Sequence, residues 1–173
     1  LAVRLSRTPA WLTVTPRSGR VLAGQQTQLS LGMSALGLFG GDYGATVRVL
    51  SNDPDESNVP RTVTLHVIGA PDIAVNPASA DFGMVFVGTV AQRTIAISNP
   101  GTDNLVVNGI TTGVPFVTVS PDSPFTLVPG ATMPVVVSYA PIATGTLSGA
   151  LTIASNDPDE ASIQVPLAGS AVN

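Results

Sequence analysis

Three carboxylates stand within four residues at Asp53, Asp55 and Glu56, and the same trio returns at Asp157, Asp159 and Glu160. Carboxylate oxygens packed this closely are the ligands that Ca²⁺ takes. Both trios lie inside one hexapeptide, Ser-Asn-Asp-Pro-Asp-Glu, at 51–56 and 155–160. There Asn52 and Asn156 suit Asx-turns, and Pro54 and Pro158 pre-set a backbone dihedral of a hairpin. The span is shorter than an EF-hand loop and has no central Gly. We read the hexapeptides as structural turns first and as calcium ligands second, and assign no metal, cofactor or catalytic residue on sequence grounds.

Other reactive groups are sparse. His66 is the only histidine; period-two alternation turns it outward beside Thr64, and as a base it would need a nucleophile and an orienting acid. No Gly-x-Ser-x-Gly elbow marks a serine nucleophile, so a non-enzyme is expected. Trp11 and Phe116 occupy equivalent positions, each followed by alternating apolar residues and Thr. An outward Trp could stack on a sugar and an inward one fills a core; the Phe at the second position favours core. Tyr43 and Tyr139 are too scattered to complete a sugar platform. The Gly-rich stretch from Ala35 to Asp42 has no helix after it, as a phosphate loop requires, and reads as a turn that could present Phe39 as an apolar contact. Trp11 and Phe39 are thus the candidate interaction residues.

A tandem repeat positions these groups. The hexapeptide recurs at an offset of 104, Trp11-Leu12-Thr13-Val14-Thr15-Pro16 matches Phe116-Val117-Thr118-Val119-Ser120-Pro121 at 105, and Gly24 matches Gly130 at 106. Units of about 105 residues, each with its own core, follow. The expected domains are 1–70 and 71–173, joined at Gly69-Ala70-Pro71. Counting back by the offset from Asp72 places the start of the first unit about 33 residues ahead of Leu1. The first unit is therefore expected to lack strands A and B, supplied upstream or by another chain.

Alternation of β-branched residues with period two predicts an all-β fold of tandem immunoglobulin-like sandwiches. In the second unit it predicts strands at Asp72 to Val75, Gln92 to Ser98, Asn104 to Ile110, Phe116 to Val119, Thr132 to Tyr139, Gly145 to Ala154 and Ser162 to Leu167. In the first it predicts Ala2 to Leu5, Leu12 to Val14, Thr27 to Met33, Gly44 to Val49 and Arg61 to Ile68. Val63, Leu65 and Val67 match Ile163, Val165 and Leu167 at an offset of 100, which makes the loop after the first hexapeptide four residues longer and aligns His66 with Pro166.

Charged residues make up 10% of the 173, lysine is absent, and all seven basic residues are Arg. The first unit holds six of these against four acids, a balance of +2; the second holds Arg93 against seven acids, a balance of −6, and together they make the chain's −4. No basic stripe tracks a phosphate backbone, so nucleic acid is excluded as a partner. The charge contrast could orient head-to-tail contacts between like modules. Without cysteine there are neither disulfides nor thiolate metal sites. No apolar run reaches the roughly 18 residues of a spanning helix.

The run Asp81-Phe82-Gly83-Met84-Val85-Phe86-Val87-Gly88-Thr89, then Arg93-Thr94-Ile95-Ala96-Ile97-Ser98-Asn99-Pro100-Gly101 and the late Ser-Asn-Asp-Pro-Asp, resembles the ASH/Hydin-type domain. That domain, known in bacteria as the choice-of-anchor D module, belongs to the PapD-like and major-sperm-protein-like immunoglobulin superfamily. The resemblance covers nearly all of the second unit and implies a structural role rather than a reaction. It implies a spacer, adhesin or scaffold within a large repetitive secreted or cell-surface bacterial protein, with like modules as protein partners. The missing strands motivate an alternative within that class, a self-assembling extracellular filament subunit using strand complementation, and a carbohydrate-binding accessory domain of a secreted hydrolase is an alternative of another class. A cytoplasmic, ciliary setting is the alternative location.

Overall fold

Alternating apolar residues become strands because only every second side chain can face a core. The computed structural model describes residues 2–5 and 9–173, and the chain divides between Ile68 and Gly69 into two compact units. The first contains β1 (Ala2–Leu5), β2 (Leu12–Thr15), β3 (Ser30–Met33), β4 (Gly41–Leu50) and β5 (Asn58–Val67). Strands β1, β4 and β5 form one antiparallel sheet in that order, and β2 pairs with β3 in a second. Leu12 and Val14 face inward while Thr13 and Thr15 are exposed. Trp11, Leu12, Val14, Val47 and Val63 form the core, with Leu29, Leu38, Tyr43, Ala45 and Leu65 against it.

The second unit contains β6 (Ala74–Asn76), β7 (Ala80–Phe86), β8 (Ala91–Ser98), β9 (Leu105–Thr112), β10 (Val117–Ser120), β11 (Phe125–Leu127), β12 (Thr132–Tyr139), β13 (Gly145–Ser155) and β14 (Ser162–Val172). One sheet runs β10-β12-β8-β6 and the other β11-β9-β13-β14-β7. The two are faced by fully buried Ile95, Ile97, Val135 and Val137 on one side and Leu105, Val107, Leu151 and Ile153 on the other. This is an immunoglobulin-like sandwich.

Strands β7 and β11 escape the alternation pattern, for different reasons. In β7, Ala80, Phe82 and Val85 point inward. The inward period therefore breaks at Gly83, whose φ of 67° inserts a left-handed residue. The pairing of β7 is also parallel, with β14, far away in sequence, and its register shifts between Ala168 and Ser170. Gly169 eases that crossing, because a Cβ there would lie 3.2 Å from the Cβ of Phe82. Strand β11 has three residues and is too short to show a period.

The two units share register. Leu12 pairs with Met33 and Val14 with Leu31, as Val117 pairs with Tyr139 and Val119 with Val137. The hairpin containing the hexapeptide closes at Leu50 and Asn58 in one unit and at Ala154 and Ser162 in the other. Both members keep the offset of 104, so the four-residue difference expected after the first hexapeptide is not there. His66 corresponds to Ser170 rather than Pro166, and Val63 to Leu167. The offset of 100 arose because Val63, Leu65 and Val67 alternate, and an alternating strand aligns with itself at any even shift.

The start of the second unit is tied down. The carbonyl of Ala70 accepts the amides of Thr102 (2.7 Å) and Asp103 (3.1 Å), and the Ala70 amide donates to Thr102 Oγ1 (3.2 Å). Gly101 is needed beneath it, since a Cβ would lie 2.5 Å from the Ala70 carbonyl oxygen.

Candidate functional site

The hexapeptide of the second unit is a clamp. Ser155 Oγ accepts the Asp157 amide (3.2 Å) and donates to the Glu160 carbonyl (3.5 Å), closing the turn. Asp157 Oδ1 accepts the amides of Asp159 (3.1 Å) and Glu160 (3.2 Å). Its Oδ2 accepts the amide of Ile73, at the entry to β6, at 2.7 Å. Asn156 grips β9: its Oδ1 accepts the Val106 amide (2.7 Å) and its Nδ2 donates to the Asn104 carbonyl (3.1 Å). Two adjacent side chains thus fasten one hairpin to the first strand of the unit and to the start of β9.

Asp157 is 2% exposed. Burial pushes its carboxyl up, but the amides of Ile73, Asp159 and Glu160 and the Asp159 side chain outweigh this and hold it below the ordinary 3.8. Asp159 moves the other way, raised by its hydrogen bond to Asp157 and by that neighbour's charge. Oxygens of Asp72, Asp157 and Glu160 lie within 4.8 Å of one another. Asp72 takes the place that sequence reading gave to Asp159, because the entry to β6 is delivered beside the hairpin from far away in the chain.

In the first unit the same turn is built on its own. Ser51 Oγ accepts the Asp53 amide (3.1 Å) and donates to the Glu56 carbonyl (3.0 Å), and Asp53 Oδ1 accepts the amides of Asp55 (2.9 Å) and Glu56 (3.2 Å). Asn52, Asp53, Asp55 and Glu56 are exposed. Asp53 Oδ2 and the Asn52 side chain have no partner among the described residues. Nor do Asp53, Asp55 and Glu56 converge there into a set of metal ligands.

The remaining candidates separate. Trp11 is 7% exposed and belongs to the core of the first unit, which removes it as a contact residue and as a sugar-stacking face. Its counterpart Phe116 is not core: a left-handed φ of 62° turns it out, and it is 47% exposed. Phe39 is exposed, and its own carbonyl accepts the Tyr43 hydroxyl at 3.0 Å. His66 Nδ1 lies 2.6 Å from Asp42 Oδ1, its cross-strand partner in β4, and both are well exposed. No acid stands near this histidine in the sequence, since the pairing depends on the β4–β5 register.

Asn99 is a site that turn chemistry only hinted at. It is fully buried, its Nδ2 donates to the carbonyls of Asp103 (2.8 Å) and Leu127 (2.9 Å), and its Oδ1 accepts the amides of Gly101 (3.0 Å) and Asp72 (3.3 Å). One side chain thereby joins the β8–β9 turn, β11 and the entry to β6.

Residues 71–168 match the model of the HYDIN/CFA65/VesB-like, Ig-like domain family. The chain belongs to this family. Among solved structures, a protein of unknown function from Porphyromonas gingivalis W83 is similar at 17% identity, with a TM-score of 0.52 over 97% of this chain and 83% of that one. The ASH/PapD-like domain 7 of human CEP192 is similar at 14% identity, with a TM-score of 0.50 over 60% of this chain and 87% of that one. No curated protein matches. The structural likenesses show the fold, and the family match spans the part of the chain that holds the Asp157 clamp. Among the described residues no helix is long and apolar enough to cross a membrane.

Proposed function

We propose that this chain is a non-enzymatic structural and interaction element made of two Ig-like modules. It serves as a spacer, adhesin or scaffold within a large repetitive secreted or surface-exposed bacterial protein. The observation that carries this reading is how the repeated hexapeptide is used. In the second unit its carboxylate, amide and hydroxyl groups hold backbone, and in both units its turn closes in the same register. The one motif present verbatim in both units thus closes the same hairpin in each and, in the second, fastens strands, the chemistry expected of a module selected for shape. Partners are proteins, foremost like modules, which contact exposed edges and loop tips such as Phe39.

The test is protease shaving of intact cells of the source organism, with released peptides identified by mass spectrometry. Peptides ending at the exposed Arg17, Arg20, Arg48 and Arg61 are expected in the supernatant before lysis. Their appearance only after lysis would sink the surface assignment.

A further inference from the structure

At one end of the second unit a strained aromatic residue borders an uncharged cleft. Phe116 is the only residue other than glycine with a positive φ among the described residues. That backbone is costly for a bulky side chain, and residues held in it cluster at functional sites. Phe116 directly precedes Val117, which pairs with Tyr139 at the end of β12, and its carbonyl accepts the Ala140 amide at 2.9 Å. Its exposed ring lines a cleft of about 230 Å³ together with Val114, Tyr139 and the stretch 144–148. Strand β14 pairs with β13 from Gly145 onward, whereas β9 joins β13 only at Leu151. One backbone edge at the start of β13 is therefore left without a neighbouring strand. Tyr139 supplies a polar group from inside the sandwich. It is 5% exposed, its ring packs on Phe82 with centroids 5.6 Å apart, and its hydroxyl has no hydrogen-bond partner among the described residues. No buried side-chain oxygen among them lacks a partner, so this hydroxyl reaches the surface while the ring stays in the core. Thr144, Thr146 and Ser148 are exposed along the same cleft, and their hydroxyls are also without a partner among the described residues. No lining residue is charged.

We propose that this cleft binds a sugar residue of a neutral polysaccharide. The ring of Phe116 gives the C–H face of a pyranose an apolar surface to lie against. The hydroxyls of Tyr139, Thr144, Thr146 and Ser148 both donate and accept, as sugar hydroxyls do, whereas a carboxylate only accepts and an ammonium only donates. An uncharged lining suits an uncharged ligand, because no ion has to be stripped of its water when the ligand arrives. Apolar walls with a few convergent polar groups are the usual make-up of a small-molecule site. The volume is below the roughly 300–1,000 Å³ that encloses a drug-sized molecule, which limits the cleft to about one ring. This surface is separate from Trp11, which is core. The assignment goes beyond the spacer role and does not rest on it.

Titration calorimetry of the 173-residue chain tests it, with neutral oligosaccharides of glucose, mannose, galactose, xylose and N-acetylglucosamine as probes and an oligogalacturonate as the charged control. At least one neutral series is expected to bind saturably, and more tightly than the uronate. Tyr139→Phe removes the hydroxyl and keeps the ring on Phe82, and it should weaken that binding by about fivefold or more, the worth of one hydrogen bond. Phe116→Ala removes the stacking face and should weaken it by about fivefold or more as well. No saturable binding by any neutral series would overturn the proposal, as would binding that both variants leave unchanged or that favours the uronate. An uncharged alternating Val-Thr peptide probes the other kind of occupant. Binding of that peptide, lost in Phe116→Ala, with none by any sugar would replace the proposal with strand addition along the start of β13. None of these results depends on the cell-shaving outcome, so the two readings fail separately.

Discussion

The carboxylate of Asp157 accepts the backbone N–H of Ile73 at 2.7 Å across 84 positions of chain. This contact, buried and charged, joins the entry to the first strand of the unit to its last hairpin. A hydrogen bond to an ionised group contributes about 1.5–3 kcal/mol, and an amide left unpaired in the interior costs a similar amount.

Asp157→Ala is therefore expected to destabilise the second unit by about 3 kcal/mol, while Asp53→Ala, which loses only its own turn bonds, costs about 1 kcal/mol or less. Calorimetry of the two variants, with each unit's transition followed separately, measures the contrast. Equal losses would mean that the Ile73 contact contributes nothing.

The two neighbouring aspartates give opposite pH signatures. Asp157 titrates below its unfolded value of 3.8 when folded, so its contribution is complete above 3.8 and is lost as pH falls through the folded value. Asp159 titrates above 3.8 when folded, so its contribution is present below 3.8 and lost as pH rises through the folded value. Thermal scans between about pH 2 and pH 6 should show Asp157→Asn flattening the acid loss of stability. Asp159→Asn should raise stability relative to wild type toward neutral pH.

Asn99→Asp should be more damaging than its size suggests. The carboxylate would set an acceptor against the carbonyls of Asp103 and Leu127, where the amide now donates. A loss of about 3 kcal/mol or more is expected from two broken bonds and two opposed lone pairs at a buried position. Denaturant unfolding of the variant measures it, and a change under about 1 kcal/mol would show that the turn holds without its hub.

Strand β7 is the outer strand of its sheet, and Arg93 guards it: Nε donates to the Asp81 carbonyl at 2.7 Å and the guanidinium lies 5.7 Å from the centre of the Phe82 ring. Arg93→Ala frees an edge carbonyl and uncovers apolar surface next to the exposed Met84 and Phe86. Concentration-dependent self-association is expected, measured by sedimentation, since exposed edges pair. A variant that stays monomeric at high concentration would rule out this guarding role.

Much of the architecture is legible in the sequence. Strands such as β8 and β12 carry an unbroken alternation of Ile or Val with smaller or polar residues, and the repeated hexapeptide located the hairpin in both units. Features set by distant pairing were not legible. The Asp42–His66 contact needs the β4–β5 register, and Asp72 reaches Glu160 only after β6 has been laid against the hairpin. Strand β7 was hidden by a left-handed glycine that shifts its inward face by one residue. Trp11 and Phe116 align in sequence yet part in burial, because one backbone dihedral decides which way the ring turns.

The parallel pairing of β7 with β14 has a mechanical meaning. The chain enters β7 at one end of this ladder and leaves β14 at the other, with Ala80 beside Leu167 and Phe86 beside Val172. Tension drawn between the two ends of the unit pulls these strands past each other along their length. Their hydrogen bonds then share the strain in shear and must fail together, whereas an antiparallel hairpin pulled at its open end would peel apart one bond at a time. Stretching single molecules along the two directions would compare them, and a module meant to keep its length under tension gains from the first.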